Sequence, residues 1–470
     1  MAGELHLHQD AILNPDYISG LPDPLIGHIL SFMSTVDAVK TSVLSKRWHS
    51  AWTFNPSMDF FLRRGSSRRY SNFVDFVDGV LCTAPRVRKF ILHAPWVPLI
   101  ESVLGRWLEY SVRHGVEEVS VSFFLRRYSM YRLPGCLFRS STLVDLRLSV
   151  QRADFSALNS VDLPSLERLS IQFGELKNDA LASLPRGCPV LQFLELKSCQ
   201  DFSCVVVLTG GFREILIDSH MFECDKPRIP SISAPHVLNL RLLGGSSTKE
   251  FAVDELKSLV RAELDFYMTS PTINQTDRNL VKKLLHSLCH VTKLVLSIAE
   301  DVEDVPFLLP NCKSLTLNAR MHYRDFPGIA ILLAISPNLE ELSINADYVD
   351  YTRATVKCDS VVGNGDEEDY CCQKLCVGLA QQLKRVEIVG LDTDCLELKW
   401  VLYLVKYLLG DALALEKWVL KAKRRHESRE KLVNPGKLLE FYQQLLCLPR
   451  ASTNAELILQ GVQHDEQKGK

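Results

Sequence analysis

The sequence predicts a mixed α/β fold in which a small three-helix unit precedes a repeat solenoid, with a curved parallel sheet inside and helices outside. Two observations predict it. Three short amphipathic segments lie within the first 55 residues, and a six-residue apolar template then recurs from residue 87 to residue 420. Short helices followed by repeated short strands predict two parts of different architecture.

The bulk properties of the chain exclude several classes of protein. It has 470 residues, 46% of them hydrophobic and 23% charged, with a formal net charge of −2. This length exceeds one compact core of ordinary size, so we expect several domains or one elongated array. The small net charge provides no general attraction to nucleic acid or to an acidic membrane surface. No apolar run approaches the roughly 20 residues of a membrane helix.

The N-terminal residues and the cysteines indicate a reducing compartment. The first residues lack a basic segment followed by an apolar stretch, so we expect no secretory signal and a soluble protein of the cytoplasm, the nucleus or both. Most of the 14 cysteines lie in apolar stretches, where reduced buried thiols are the usual state. Cys371, Cys372 and Cys376 cluster without matching histidines. We interpret them as loop thiols, with a zinc site as the alternative.

The first predicted unit covers residues 17–55. Asp23, which a proline follows, marks a helix start, because its side chain can accept amide hydrogen bonds and proline needs no partner. Ser34 with Asp37 three residues later predicts a second start. Ser45 predicts the cap of a third helix that carries Trp48. Three helices in about 35 residues enclose a very small core and have more large apolar residues than it can cover, so we expect a partner surface.

A repeat occupies the middle of the chain. The template is L-x-x-L-x-L with apolar substitutions allowed, and consecutive copies mostly start 21 to 29 residues apart. The copies are Val87/Phe90/Leu92, Val116/Val119/Val121, Leu143/Leu146/Leu148, Leu166/Leu169/Ile171, Leu191/Leu194/Leu196, Phe212/Ile215/Ile217, Val237/Leu240/Leu242, Leu259/Ala262/Leu264, Val291/Leu294/Leu296, Cys312/Leu315/Leu317, Leu339/Leu342/Ile344, Leu383/Val386/Ile388 and Leu415/Trp418/Leu420.

This template and its spacing are typical of leucine-rich repeats. The L-x-L part predicts a short strand with two apolar side chains on one face, and the first apolar residue packs beneath the strand. We predict a linker and the entry to the first repeat at residues 56–82, and repeats at residues 83–382. Asn178–Leu184 and Gly328–Ile335 are predicted helices of the outer layer.

One insertion interrupts the array at about residues 348–374. Its glycines and its acidic run at residues 366–369 are typical of a surface loop. It is interpreted as a tolerated insertion, with a recognition or regulatory loop as the alternative. The last residues, 461–470, are predicted to be a disordered tail.

The C-terminal segment, residues 383–460, predicts strand, helix, strand, helix and a final strand at Ala455–Leu459. Physically it would cap the solenoid, since the last repeat otherwise exposes an apolar face. Its basic run, Lys421, Lys423, Arg424 and Arg425, is interpreted as a solvated link. A nuclear localisation signal or a nucleic-acid patch is the alternative.

Two runs in the first unit resemble the F-box of plant proteins, LPDPLIGHILS at residues 21–31 and DAVKTSVLSKRW at residues 37–48. Proline at position 24 departs from the acidic or polar residue usual there, and a first-turn proline is compatible with a helix. The resemblance implies binding to a Skp-type adaptor and through it to a cullin. By position it implies two contact segments, formed by Leu21, Pro22, Leu25 and Ile29 and by Leu44, Ser45, Lys46 and Trp48.

The C-terminal segment resembles the FBD segment of plant F-box proteins, which implies a cap without a catalytic role. Together the resemblances imply the substrate-recognition subunit of a Skp–cullin–F-box ubiquitin ligase that binds a protein substrate through its repeats. The alternative is a repeat scaffold that acts without ubiquitination. No catalytic motif, metal site or cofactor is expected: residues 244–249 (GGSSTK), for example, lack the ending of a phosphate-binding loop.

Substrate contacts are expected from the middle residue of each L-x-L strand. Arg147 and Arg241 are the candidates, because arginine is a common anchor of protein interfaces. As exposed strand charges they would contribute little to stability. Alanine at both positions is therefore expected to leave the melting temperature nearly unchanged.

Overall fold

The computed structural model describes residues 20–84, 86–123, 130–199, 204–206, 211–218, 231–245, 253–254, 256–267, 282–297, 305–319, 325–346, 381–391, 398–422 and 435–460. Within these ranges the chain divides into two compact units. The first is Met1–Ala157 with Val161–Leu166, and the second is Leu158–Ser160 with Glu167–Lys470.

The first unit begins with short helices and continues with alternating strands and helices. Strands β1, β2, β3 and β5 follow one another in a parallel sheet, while β4 and β6 pair separately. The elements are α1 (Asp23–Leu30), α2 (Thr35–Lys40), α3 (Trp48–Ala51), β1 (Ser57–Phe61), α4 (Ser67–Thr83), β2 (Lys89–Ala94), α5 (Pro98–Arg113), β3 (Glu118–Phe123), β4 (Tyr131–Arg132), β5 (Asp145–Ser149) and β6 (Ala153–Asp154).

The second unit continues the strand–connection repeat to the end of the described chain. Its parallel sheet runs in the order β7, β8, β10, β12, β14, β15, β16, β17, β18, β19 and β20, and β9, β11 and β13 form a small separate sheet. The elements are β7 (Arg168–Gln172), α6 (Asn178–Gly187), β8 (Phe193–Lys197), β9 (Cys204–Val206), β10 (Glu214–Asp218), β11 (Ser231–Ser233), β12 (Asn239–Gly245), β13 (Val253–Asp254), β14 (Arg261–Tyr267), β15 (Lys293–Ser297), β16 (Ser314–Asn318), α7 (Phe326–Ile335), β17 (Glu341–Asn345), β18 (Arg385–Leu391), α8 (Leu398–Asp411), β19 (Lys417–Ala422), α9 (Pro435–Leu446) and β20 (Glu456–Gln460).

The predicted fold class is confirmed, and the repeat template explains it. Every copy of the template contains a strand of the parallel sheet. Its first residue, from Val87 to Leu415, is buried in each copy. The two apolar residues of each strand point to the same buried side, because successive side chains of a strand alternate between faces. The middle residues therefore lie on the other side, which we call the open face of the sheet. The predicted helices at residues 178–184 and 328–335 are present as parts of α6 and α7.

Residues 56–82, predicted to be a linker and the entry to the first repeat, contain β1 and most of α4, so a strand and a helix already precede the first template copy. Met58 and Phe60 are the two buried residues of this strand. Asn55 occupies the place of the first leucine, and this polar residue concealed the template. Its amide nitrogen donates to the Leu30 carbonyl at 3.1 Å, and its amide oxygen accepts from the backbone N–H of Ser57 at 2.8 Å.

The three-helix unit packs directly on β1. The backbone N–H of Asp59, in the middle of this strand, donates to the hydroxyl of Thr35 in α2 at 2.6 Å. Thr35 and Asn55 are both buried, so their hydrogen bonds are shielded from water. The helices thereby occupy an edge that would otherwise present unpaired backbone groups.

The local helix signals are confirmed for α2 and corrected for α1 and α3; the N-cap position of α3 is Arg47 rather than Ser45. The hydroxyl of Ser34 accepts from the N–H of Asp37 at 3.2 Å, as a capping box predicts. The N–H of Trp48 donates to the hydroxyl of Ser45 at 3.4 Å. Asp23 is the first residue of α1 rather than its cap, and it forms an ion pair with Arg47 at 2.8 Å. Arg47 is 24 residues away in sequence, which is why local reasoning missed this pair.

Gly27 allows α1 to approach the turn that follows α3. A Cβ atom at this position would lie 2.7 Å from the carbonyl oxygen of Phe54, which is closer than van der Waals contact permits. The close approach covers one side of α1 and leaves its opposite side available.

The C-terminal segment 383–460 contributes the last three strands in the sheet order. The predicted order of elements is confirmed, and β18, β19 and β20 pair in parallel and in register with the preceding strands. Lys421 belongs to β19 rather than to a link between elements, so the predicted basic link loses its first residue.

Several predictions lie outside the described residues. These are the insertion at about residues 348–374 with its three cysteines, the remaining basic residues 423–425, the predicted tail at residues 461–470 and the first residues of the helical unit, 17–19. Of the helices in the described ranges, none combines the length and the apolar character needed to cross a bilayer.

Candidate functional site

Helix α1 carries two apolar stripes, one of which remains exposed. Ile26 and Leu30 form the inner stripe and are at most 1% exposed, packed with Trp48 and two alanines. Leu25 and Ile29 form the outer stripe and are 50% and 45% exposed. Each stripe has the four-residue spacing that places side chains on one helix face. Positions one residue apart are rotated by about 100° around the helix, so one stripe can be covered while its neighbour faces solvent.

The second predicted contact segment lies close to the start of α1. Leu44 is 66% exposed, and Lys46 is also exposed. The guanidinium of Arg47 donates to the Leu21 carbonyl and to the carboxylate of Asp23, so it holds the two predicted segments together. Leu21 is partly buried against the helical core. The hydroxyl of Ser45 accepts a hydrogen bond from the N–H of Trp48.

The assignment of Trp48 to the contact surface is wrong. Its side chain is only 5% exposed and belongs to the core of the three-helix unit. A unit this small has few large apolar side chains with which to fill its interior, and the indole supplies much of that volume. Sequence position alone could not distinguish a contact residue from a core residue one helical turn away.

Three exposed apolar residues extend the surface beyond the predicted contacts. Phe32 is 79% exposed, Met33 is 38% exposed and Val43 is 87% exposed. In the sequence, Phe32 and Met33 follow Ile29 at helical spacing, but spacing alone does not show that this stripe faces outward. We define the helical surface as Leu25, Ile29, Phe32, Met33, Val43 and Leu44. Several large apolar side chains exposed on so small a unit are typical of a protein-binding site.

On the open face of the second unit, Arg241 forms part of an ion-pair network. Its guanidinium donates two hydrogen bonds to the carboxylate of Glu263, at 2.8 and 3.1 Å. These bonds raise the pKa of the Arg241 guanidinium. Glu263 also lies 3.6 Å from Arg261. Along the same row of the sheet, Glu195 accepts a hydrogen bond from Ser170 at 2.5 Å.

On the open face of the first unit, Arg147 is more exposed but is also held. Its guanidinium donates to both carboxylate oxygens of Asp145, at 3.0 and 2.6 Å. The side chain of Arg147 is 57% exposed, whereas that of Asp145 is 10% exposed. Both arginines thus compensate carboxylates that are largely shielded from water. Their role as substrate anchors stays a prediction.

The burial of these carboxylates changes the expected stability of arginine variants. Arg241→Ala would leave Glu263, with a side chain 14% exposed, facing only the more distant Arg261. We expect the free energy of unfolding to fall by about 1–2 kcal/mol, because a shielded carboxylate loses its bidentate partner. For alanine at Arg241, this expected loss replaces the nearly unchanged melting temperature that exposure on the strand alone had predicted. Urea denaturation monitored by circular dichroism measures the change.

Arg261→Ala is the matched control for this variant. It removes the weaker and more exposed arginine from the same carboxylate, so a loss below about 0.5 kcal/mol is expected. Equal stability losses for the two variants would show that the bidentate geometry contributes nothing.

A pocket of about 440 Å³ lies on the open face near the end of the second unit. Residues of β16 to β20 line it, and we call it the end pocket. Its side chains on the open face are Ser314, Glu341, Ser343, Arg385, Glu387, Lys417, Val419, Lys421, Ile458 and Gln460. Most of these residues lie in the segment that the sequence had indicated only as a cap. The missed signal was the strand alternation within that segment, which predicts open-face residues as it does elsewhere.

Some charged residues of the end pocket form ion pairs, and one does not. Arg385 forms an ion pair with Glu341, and Lys421 donates to Glu387 at 2.5 Å. Lys417 is exposed and has no ion-pair partner among the described residues. The pocket therefore has three cations and two carboxylates, with one positive charge in excess.

Metal ligands and buried thiols are two kinds of reactive group that the described residues allow to be assessed. In this part of the chain no group of three histidine, cysteine, aspartate or glutamate side chains is placed to hold a metal ion. Burial raises the pKa of Cys199 to about 12 and that of Cys312 to about 11. Both thiols therefore stay protonated at neutral pH, and a thiol is a weak nucleophile. The candidate sites are binding surfaces.

Two protein-family models match the chain. Residues 18–58 match the model of the F-box domain, and residues 85–455 match the model described as "At1g61320/AtMIF1, LRR domain". The first range contains the helical surface. The second range contains the template copies from Val87 onward and most of the segment that resembles an FBD, so one repeat model covers both.

Similar proteins occur in Arabidopsis thaliana. The chain is 30% identical over 364 residues to "F-box/LRR-repeat protein At5g02910", which covers 75% of each chain. It is 29% identical over 350 residues to "Putative F-box protein At1g49610", covering 70% of this chain and 84% of the relative. It is 28% identical over 355 residues to "Putative F-box/LRR-repeat protein At3g28410", covering 72% of each.

Proposed function

Because the chain belongs to the family of F-box/leucine-rich-repeat proteins, we propose that it is the substrate-recognition subunit of a Skp–cullin–F-box ubiquitin ligase. F-box domains generally bind Skp-type adaptors, and proteins with both domains are substrate receptors in general. The finer proposal for this chain is that its F-box binds the adaptor, that the adaptor links it to a cullin and that its repeats bind a protein substrate.

The observation that carries this proposal is the exposed helical surface. It combines exposed apolar side chains from α1, from the turn after it and from the segment before α3, on a unit whose own core is already filled. Apolar surface left in contact with water favours association, because its burial releases about 25 cal/mol per Å². The F-box also packs on β1 through Thr35 and Asn55, so it is joined to the first repeat by more than the chain connection.

The proposed mechanism is positional, and the chain itself is not an enzyme. The F-box holds the adaptor while the repeats hold the substrate. A tethered acceptor lysine then meets the ubiquitin carrier at a high effective concentration, as in an intramolecular reaction. Ubiquitin transfer itself is carried out by other subunits. Such a complex would act in the cytoplasm, the nucleus or both.

The test is co-expression with a Skp-type adaptor followed by size-exclusion chromatography. We expect a stable 1:1 complex, and we expect the same complex to bind a cullin when one is added. Thermal unfolding of the isolated chain shows whether it is folded. A folded chain that does not bind the adaptor would contradict the proposal and would favour the alternative, a repeat scaffold that acts without ubiquitination.

A further inference from the structure

The end pocket offers a more specific surface than the rest of the open face. In the described part of the chain most charged open-face residues form pairs within the sheet, as Arg241 does with Glu263 and Lys197 does with Glu195 at 2.7 Å. Lys417 and Lys293 form no ion pair in the described residues, and of these two only Lys417 lines the pocket. Lys417 lies between strands β18 and β20, whose side chains are its neighbours in the sheet.

The strands next to Lys417 place one cation and one carboxylate beside it. Arg385 is its register partner on β18, so two cations lie side by side on neighbouring strands that are about 4.8 Å apart. On the other side its register partner is Glu456 of β20, which forms no ion pair with it. Adjacent like charges are unfavourable unless an anion lies near both. Glu341 forms such a contact with Arg385, whereas in the described residues no ion pair joins Lys417 to a carboxylate, its neighbour Glu456 included.

The floor of the pocket next to Lys417 is apolar. Val419 and Ile458 are half-buried register partners on β19 and β20, and they follow Ser343 and Glu387 in the same row. The chemistry that fits is a carboxylate near Lys417 with an aliphatic stem over Val419 and Ile458. In a peptide, aspartate or glutamate supplies the carboxylate. Its own methylene groups and the neighbouring residues supply the aliphatic part.

We propose that the end pocket binds an acidic segment of the protein substrate, with Lys417 as the residue that selects the negative charge. This inference deepens the proposed function, on which it rests, by naming the class of substrate segment. A nucleic-acid strand fits less well, because its continuous row of phosphates would face Glu341 and Glu387 as well as the cations. An acidic peptide presents separate carboxylates. These can lie near the cations of the pocket without facing the carboxylates of Glu341 and Glu387.

The test uses a phage-displayed library of random octapeptides selected on the immobilised full chain in complex with its adaptor. We expect aspartate and glutamate to be enriched at least about twofold over the unselected library. The strongest selected peptide is then labelled with fluorescein and titrated by fluorescence anisotropy. Lys417→Glu is expected to weaken its binding at least about tenfold, because an attractive contact becomes repulsive. Lys417→Gln is expected to have a smaller effect in the same direction.

Lys293→Glu is the matched control. Lys293 is an exposed lysine in the equivalent row of β15, four strands before Lys417, and it does not line the pocket. Its variant has the same change in net charge, so peptide binding within about twofold of the unmodified chain separates a local contact from general electrostatic attraction.

Two results would overturn the inference: selected peptides without acidic enrichment, or equal losses for the variants at positions 417 and 293. Adaptor binding is measured for each variant in the same experiment. If the adaptor does not bind the unmodified chain, the selection is repeated on the chain alone. Acidic selection that depends on Lys417 would then support the inference while contradicting the ligase proposal, so the two failures are distinguishable.

Discussion

Replacement of both Leu25 and Ile29 by aspartate is expected to abolish binding of the Skp-type adaptor while the chain stays folded. Both side chains are about half exposed on one face of α1, and their inner neighbours Ile26 and Leu30 carry the packing. Two carboxylates placed in a contact that excludes water lose their hydration without gaining partners, which costs several kcal/mol. We therefore expect affinity to fall at least about 100-fold, which corresponds to about 3 kcal/mol.

Isothermal titration of the adaptor into the purified chain measures this effect. The matched control is Leu99→Asp, which places the same side chain on an exposed leucine of α5 in the same unit but away from the helical surface. Adaptor affinity should then change less than about twofold, and both variants should keep the melting temperature of the parent within a few degrees. Unchanged adaptor binding by the double variant would reject the assignment of this surface.

Trp48→Ala is expected to unfold the three-helix unit. The indole is 5% exposed and packs with Ile26, Leu30, Ala38 and Ala51, which form the rest of a very small core. Removal of a buried tryptophan costs about 3–5 kcal/mol. A core of this size cannot absorb such a loss by rearrangement. Hydrogen exchange with mass spectrometry on the free chain should show lost protection at residues 20–55, with protection kept in the second unit.

The neighbouring residue provides the control for this variant. His49→Ala changes an exposed side chain on the same short helix, and we expect protection within experimental error of the parent. The double aspartate variant at positions 25 and 29 and Trp48→Ala together test whether the indole belongs to the core. Both should lose adaptor binding, but only Trp48→Ala should lose protection in the absence of adaptor. If Trp48→Ala kept its protection and still lost the adaptor, the indole would belong to the contact surface, as the sequence resemblance implied.

The repeats were predictable because their signal is local and redundant. Each template places two apolar residues on one face and one beneath the strand, and this pattern survives substitution of leucine by valine, phenylalanine or cysteine. The first repeat was missed because Asn55 replaces its first leucine. A polar residue is tolerated at this buried position since its amide satisfies the Leu30 carbonyl and the Ser57 N–H. Those partners are not visible in the pattern of apolar residues.

The sequence predicted where the candidate site lies, but not which residues form it. The sequence motif located the adaptor-binding segments, whose role stays a prediction, and the spacing of Leu25 and Ile29 correctly indicated a shared helix face. The same motif placed Trp48 on the surface, although the small core required its indole. The end pocket was missed because its cations and carboxylates are ordinary strand residues one by one, and they form a site only as neighbours.

By itself, the amino-acid sequence determined which segments become strands and which side chain of each strand is buried, because both follow from alternation within five or six residues. Only the tertiary structure decided which apolar stripe is covered and which charges find partners. Glu341 and Arg385 are 44 residues apart in the chain, and Glu387 and Lys421 are 34 residues apart. Stacking of successive repeats brings such residues within contact, because parallel strands at about 4.8 Å spacing replace distance along the chain with position in the sheet.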